Sequence, residues 1–228
     1  EAMLLKDSSI KLVALAAANN VTGYITPFRE IYDVCQRYGA IFILDCSQYA
    51  PHYRMGLDIA DILVYSGHKM YAPFGKDLLD KHGEYEATGG GNVVYFNNKE
   101  VYYKESPYSH EVGTPNGVGA IAIAEAHRVL YEDIDIDSHT KSLVNNILNI
   151  RLNKNFSVFF NDTENKTPVL VFKHNIASNG DICSKLGNKV FLREGAFCSY
   201  RLLEKTLPSV TNIMEGNKLN PAFSLIRA

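Results

Sequence analysis

The chain has 228 residues, 46% hydrophobic and 21% charged, with a net charge of −2 at pH 7. That length suffices for a self-standing core, and the near-neutral balance gives no electrostatic footprint for nucleic acid or an anionic membrane. No apolar run approaches the roughly 18 residues of a membrane-spanning helix, Glu1 to Asp7 lacks the regions of a signal peptide, and the four cysteines have neither metal-ligand nor disulfide-framework spacing, so a cytoplasmic protein is expected.

Lys11 to Ala18 is a short β-capable run closed by the turn signal Asn19-Asn20-Val21-Thr22-Gly23. From Phe28 to Tyr38, Ile31, Val34 and Cys35 recur at helical spacing, and Gly39 is a natural helix stop. Ala40 to Leu44 and Asp61 to Tyr65 are unalternating apolar runs ending in polar residues, the pattern of strands in a parallel sheet covered on both faces. Ala87 to Gly91 reads as a glycine-rich loop, and Asn92 to Asn98 as a strand and turn. Gly113 to Gly117 leads into a predicted helix, Val118 to Tyr131, with an apolar face of Val118, Ile121, Ile123, Ala126 and Leu130.

The acidic run Glu132 to Asp137 reads as a solvated connection to a second helix, Ser138 to Leu152. Strands are then predicted at Phe156 to Phe160, Val169 to Lys173 and near Val190 to Leu192, with a helix near Asp181 to Leu186 and a surface loop over Thr206 to Asn220. The change of pattern divides the chain into residues 1–132, α/β with a mostly parallel sheet, and residues 133–228, a smaller α+β domain. Ending in mid-strand at Ile226-Arg227-Ala228, the chain reads as a fragment.

Open α/β sheets hold ligands at the carboxyl ends of their strands. Two predicted strands end there in polar clusters, Asp45-Cys46-Ser47-Gln48 and Ser66-Gly67-His68-Lys69. Asp45 alone suits a turn and Lys69 alone a solvated surface. The apolar stretch Met70 to Gly75 changes the reading of the lysine, because an amine in apolar surroundings loses its proton more readily and becomes a nucleophile. Gly117 to Ala122 matches a dinucleotide-binding glycine pattern only superficially, since no buried strand precedes it. It reads as a closely packed helix start. No GxSxG or HExxH motif occurs, no pair of histidines has zinc spacing, and His82, His127, His139 and His174 read as surface or helix-face residues.

Taken together, Ile43 to Gln48 with Pro51-His52, and Ser66 to Gly75, resemble the class V aminotransferases, within them the cysteine desulfurase/selenocysteine lyase branch. Asn20 to Gly23, Gly89 to Gly91, Glu111 to Asn116, Arg193 to Cys198 and Ile226 to Ala228 extend the resemblance in order along essentially the whole chain. It implies the large domain of a fold type I pyridoxal phosphate enzyme followed by a small α+β domain. The front third of such an enzyme, with its stacking aromatic residue, and the tail after Arg227 would be absent.

The resemblance implies that Lys69 forms a Schiff base with pyridoxal 5'-phosphate, that Asp45 faces the pyridinium nitrogen and that Gln48 bonds the phenolic oxygen. Ser66 and His68 resemble phosphate ligands, and Thr114 a residue reaching the phosphate of the neighbouring subunit in a homodimer with shared sites. Asn20, Arg193 and Arg227 resemble substrate-binding residues, bidentate arginine being the usual holder of a carboxylate. Cys198 resembles the nucleophile that takes sulfur or selenium from an amino acid and passes it to an acceptor protein. Cys35, Cys46 and Cys183 read as buried structural thiols. The departures are Ala196-Phe197, where the branch carries a pair of histidines, and Lys76-Asp77, where it continues in glycine. A class V aminotransferase or epimerase in which Cys198 is a bystander, or an inactive truncated homologue, are the competing expectations.

Overall fold

A computed structural model describes residues 1–73, 76–80, 90–97, 99–105, 108–110, 112–149, 155–161, 164–206, 214–215, 218–219 and 225–227. By contacts the chain divides into two units, residues 1–15 with 27–134, and residues 16–26 with 135–228. The division at 134 is close to the change of sequence pattern. The excursion of 16–26 into the second unit has no counterpart in that pattern.

The first unit opens with helix α1 (Ala2–Lys6) and strand β1 (Leu12–Ala16), the latter followed by helix α2 (Phe28–Arg37). Phe28 and Cys35 of α2, two turns apart, are its buried residues, and Gly39 at φ +64 ends the helical path. Strands β2 (Ile41–Asp45), β3 (Ile62–Ser66) and β4 (Lys76–Asp80) complete a sheet of order β1-β2-β3-β4. β2 and β3 run parallel, with Ile43 opposite Ile62, while β4 returns antiparallel to β3. β4 is not among the expected strands; it begins at Lys76-Asp77, the departure from the glycine continuation that the resemblance implies.

Burial on β2 alternates, with Phe42 and Leu44 fully buried and Ile41 42% exposed. The expectation of two covered faces therefore holds for β3, where Ile62 and Leu63 are both buried, and not for β2. A two-stranded hairpin, β5 (Val93–Phe96) with β6 (Val101–Tyr103), carries exposed side chains throughout.

Helix α3 (Gly117–Arg128) is capped by the Asn116 side chain, which accepts from the Gly119 amide at 2.9 Å, and passes into a π-helical turn at Val129–Asp133. Its buried face is Gly119, Ile123 and, past the helix end, Leu130. Ile123 and Leu130 are buried as expected, whereas Val118 and Ile121 are exposed, because they lie off the line through 119, 123 and 130. The glycine pattern at 117–119 is thus a helix start, as its context suggested.

In the second unit, helix α4 (Ile136–Asn149) starts inside the acidic run. Asp135 accepts from the Ser138 amide, and Asp137 pairs with Lys141 at 2.8 Å. Strands β7 (Phe156–Phe159) and β8 (Val171–His174), helix α5 (Asn179–Leu186), strand β9 (Arg193–Gly195) and helix α6 (Tyr200–Thr206) follow. Short strands β10 (Met214–Glu215) and β11 (Lys218–Leu219) pair with each other within the expected loop, and β12 (Leu225–Arg227) ends the described chain.

The main sheet here is antiparallel, in order β7-β8-β12-β9. Its strand alternation puts Val171 and Leu225 in one apolar cluster with Val21, Ala196 and Leu203, and Phe172 and Ile226 in another, against Ile147 and Ile182. The strand expected near Val190 to Leu192 lies instead at β9, where pairing with β12 draws it. Readings that fall on Phe74-Gly75, His82, Ala87 to Gly89, Glu111, residues 150–152 and Ala228 lie outside the described residues. None of the described helices is long and apolar enough to cross a membrane.

Candidate active site

Asp45 ends β2 and Ser66 ends β3, so both lie at the carboxyl end of one parallel strand pair. The Cys46 amide continues the ladder by donating to the Val64 carbonyl at 2.7 Å, after which the chain turns away. The Ser47 amide then donates to the Asp45 carboxylate at 2.8 Å, and the Ser47 hydroxyl lies 3.3 Å from that of Ser66. This contact between hydroxyls joins the turn that bears the aspartate to the segment that bears the lysine.

Past Ser66 a single 3-10 turn, Gly67–Met70, carries His68, exposed, and Lys69, partly buried. Two contacts fix that turn. Gly67 is buried against α3 so closely that a Cβ there would stand 2.5 Å from Cδ1 of Ile123, and Met70 is fully buried. Tyr71 at φ +64 then breaks the helical path.

The turn after Asp45 contains the half-buried Gln48. Its Tyr49 and Ala50 amides both donate to the Cys46 carbonyl, at 2.9 and 2.8 Å. Tyr131 of the π-helical turn holds it from outside, its hydroxyl donating to the carbonyls of Ala50 and Tyr53. Burial pushes the Tyr131 phenol up, and the neighbouring thiol and phenols Cys46, Tyr65 and Tyr49 add to this, so it stays a donor. Thr114 is exposed ahead of the α3 cap. Its neighbour Gly113 donates to the Gly90 carbonyl at 2.6 Å, and Gly91, at φ +93, packs where a Cβ would stand 2.6 Å from the Gly113 oxygen.

A carboxylate, two hydroxyls, an imidazole and an amine thus occur at one sheet end. This donor set suits a phosphorylated aromatic aldehyde: the amine matches the carbonyl, the hydroxyls and imidazole the phosphate, and the carboxylate a cationic ring nitrogen.

The remaining predicted residues lie in the second unit. Arg193 and Arg227 are register partners on β9 and β12, so their side chains leave the same face of the sheet. Arg227 donates to the Asn20 carbonyl at 2.8 Å and stacks with its Cζ 4.8 Å from the Phe197 ring centroid. Burial, then the neighbouring Arg193 charge, lowers the Arg227 pKa from its ordinary value.

The Asn20 side chain donates to the Phe197 carbonyl at 2.8 Å, and the Ser199 hydroxyl donates back to its oxygen at 3.4 Å. Cys198 lies between those two partners and is exposed, whereas Cys35 and Cys46 are buried and Cys183 is intermediate. Sequence reasoning passed over Ser47, Tyr131, Phe197 and Ser199. Three of these sit inside or beside the quoted motifs. Tyr131 carried no signal, because its partners are backbone carbonyls 81 and 78 residues away.

The family profile described as aminotransferase class V matches residues 3–214. A probable cysteine desulfurase from Borreliella burgdorferi is 29% identical over 218 residues, which cover 83% of this chain and 49% of that protein. One from Aeropyrum pernix is 33% identical over 159 residues, covering 59% and 38%. Among solved structures, the apo cysteine desulfurase of Thermococcus onnurineus aligns with a TM-score of 0.78 at 24% identity, over 96% of this chain and 54% of that one. A cysteine desulfurase from Escherichia coli aligns at 0.75 and 22% identity, over 100% and 57%. The fold is therefore that of fold type I enzymes, and the chain spans about a third to a half of the length of the curated relatives it matches.

Proposed function

From the premise that this chain belongs to the class V aminotransferase family, we propose that it removes sulfur or selenium from an amino acid, as a cysteine desulfurase or selenocysteine lyase does. The observation that carries this reading is the state of the four thiols: Cys198 is exposed, on the same unit as an arginine pair suited to an α-carboxylate. The names of the relatives support it.

Pyridoxal phosphate is the cofactor in this reading, and when bound it supplies an electron sink for the substrate Cα. Lys69 Nζ anchors it and afterwards carries the proton taken from the substrate Cα. Asp45 keeps the ring nitrogen protonated, Gln48 bonds the phenolic oxygen, and Ser66 and His68 donate to the phosphate. Thr114 serves the phosphate held by a second copy of the chain, which makes the enzyme a homodimer. Asn20, Arg193 and Arg227 surround the substrate carboxylate.

The Cys198 sulfur attacks the substrate sulfur, forming an S–S bond as the substrate Cβ–S bond breaks and its electron pair stays with carbon. Protonation of that carbon, and return of a proton from Lys69 to Cα, yield alanine. The balance is cysteine plus thiol giving alanine plus persulfide, which an acceptor protein or a small thiol then reduces. We place the reaction in the cytoplasm.

The test is sulfide release from cysteine in the presence of pyridoxal phosphate and a reducing thiol. Lys69→Ala is expected to abolish both sulfide and the visible absorption of the lysine-bound cofactor, and Cys198→Ala to abolish sulfide alone. Sulfide release that survives Cys198→Ala would overturn the persulfide step. Amino-group transfer to a keto acid without sulfide would point to an aminotransferase.

A further inference from the structure

We infer that Asn20 is a positioning residue that holds the turn around Cys198 in shape; the functional part of this inference rests on the proposed role of that thiol. Residues 196–199 form a tight turn closed by the Ser199 amide, which donates to the Ala196 carbonyl at 2.8 Å. Both central residues are left-handed, Phe197 at φ +51 and Cys198 at φ +60. Turns with positive φ at both central positions are ordinarily filled by glycine, asparagine or aspartate, which tolerate that region. Phe and Cys do not, because Cβ crowds the following carbonyl. Such a conformation persists only where the surroundings over-determine it.

Asn20 supplies that constraint from both sides. Its amide nitrogen donates to the carbonyl of Phe197, one residue before the thiol, and its oxygen accepts from the hydroxyl of Ser199, one residue after it. Asn20 is itself held in place. The Asn19 side chain accepts from the Val21 and Thr22 amides, each at 2.9 Å, and the Arg227 guanidinium donates to the Asn20 carbonyl while stacking on Phe197. The side chain that straddles Cys198 therefore stands on a rigid loop, and its two polar ends are both committed to the turn.

The experiment measures amide hydrogen exchange at Ser199 in the protein and in Asn20→Ala, with the β8 amides Val171 and Phe172 as reporters of an intact fold. Loss of the clamp is expected to speed Ser199 exchange about tenfold, the scale of one net hydrogen bond, with the β8 amides unchanged. Asn20→Asp, which keeps the acceptor for Ser199 and loses the donor to Phe197, is expected to do the same if the alanine variant unfolds. In a Phe197→Gly background the Asn20→Ala effect is expected to shrink below about twofold, since glycine enters the left-handed region without penalty.

Unchanged Ser199 exchange, or an equal increase in the glycine background, overturns the inference. In sulfide release, Asn20→Ala is expected to lower kcat about tenfold, beyond any rise in KM from its place beside the substrate carboxylate, since the thiol is held less often in the geometry of attack. An unchanged kcat overturns its functional part, by leaving Asn20 a substrate contact alone. The exchange measurements need no sulfur chemistry, so a protein that releases no sulfide refutes the proposed function while the clamp is still decided.

Discussion

Arg193 and Arg227 stand opposite each other on adjacent antiparallel strands, the first exposed and the second partly buried over the Phe197 ring. Two like charges in register repel each other, and a bound carboxylate relieves that repulsion. Arg227→Lys keeps the charge and loses both the planar fork and the stack. On the proposed function it is expected to raise KM for the amino acid about tenfold or more, because an ammonium cannot hold a carboxylate by two parallel bonds, with a smaller effect from the exposed, solvent-screened Arg193→Lys. Steady-state kinetics of the two variants check this, and equal effects would count against a carboxylate held chiefly by Arg227.

The contact of Gly67 with Ile123 fixes the turn that bears Lys69. In Gly67→Ala the new Cβ would meet Cδ1 of Ile123 at 2.5 Å and Cγ1 at 2.7 Å. Overpacking of this kind costs about 1–3 kcal/mol. Combining it with Ile123→Ala is expected to cost less than the sum of the two single changes, because the clash is gone. Chemical denaturation of the unaltered protein and the three variants measures the coupling, and strict additivity would show that the turn and α3 are not in register as described.

Much of the first unit is legible in the sequence because its signals are local. Apolar runs close on Asp45 and Ser66, and Gly39 stops the helix before β2. What could not be read depends on partners distant in the chain. The β9 strand lies at Arg193–Gly195 because β12 pairs with it, and β12 is some thirty residues on. The buried face of α3 follows Gly119, whose lack of a side chain hides it from any count of apolar residues. The reading of Asp45, Ser66 and Lys69 as one cluster rested on strand ends, which the parallel β2–β3 pair provides. The tie between Asn20 and Cys198 spans nearly the whole chain, through a backbone carbonyl 177 residues away from the amide that binds it.

His127 gives the fold a pH dependence of definite sign. Its ring packs edge-on against Tyr131 with centroids 4.3 Å apart, and burial first, then the Arg54 charge, lowers its pKa from the usual value of 6.5. In the unfolded chain the imidazole takes its proton near that usual value, while in the folded chain it stays neutral until a lower pH. Over that interval the unfolded state binds more protons, so stability is present above about pH 6.5 and falls as the pH drops towards the folded pKa. His127→Gln is expected to flatten this part of the profile. Melting temperatures of both proteins from neutral to mildly acid pH check it, and parallel curves would mean that His127 takes up its proton equally in both states.

The four thiols should separate cleanly on alkylation. Burial, then the adjacent Asp45 carboxylate, pushes the Cys46 thiol up to about 12, and burial, with Asp61 adding, also raises Cys35. Only the thiolate reacts, so neither should be modified in the folded protein near neutral pH. Cys183 is raised as well, by burial and then Glu194, and is only partly covered, so slow labelling is expected there. The exposed Cys198 should take the first equivalent of iodoacetamide, with Cys35 and Cys46 following only after unfolding, as mapped by mass spectrometry of peptides. Labelling of Cys46 at the rate of Cys198 would mean that the turn after Asp45 opens readily, and with it the support for the carboxylate.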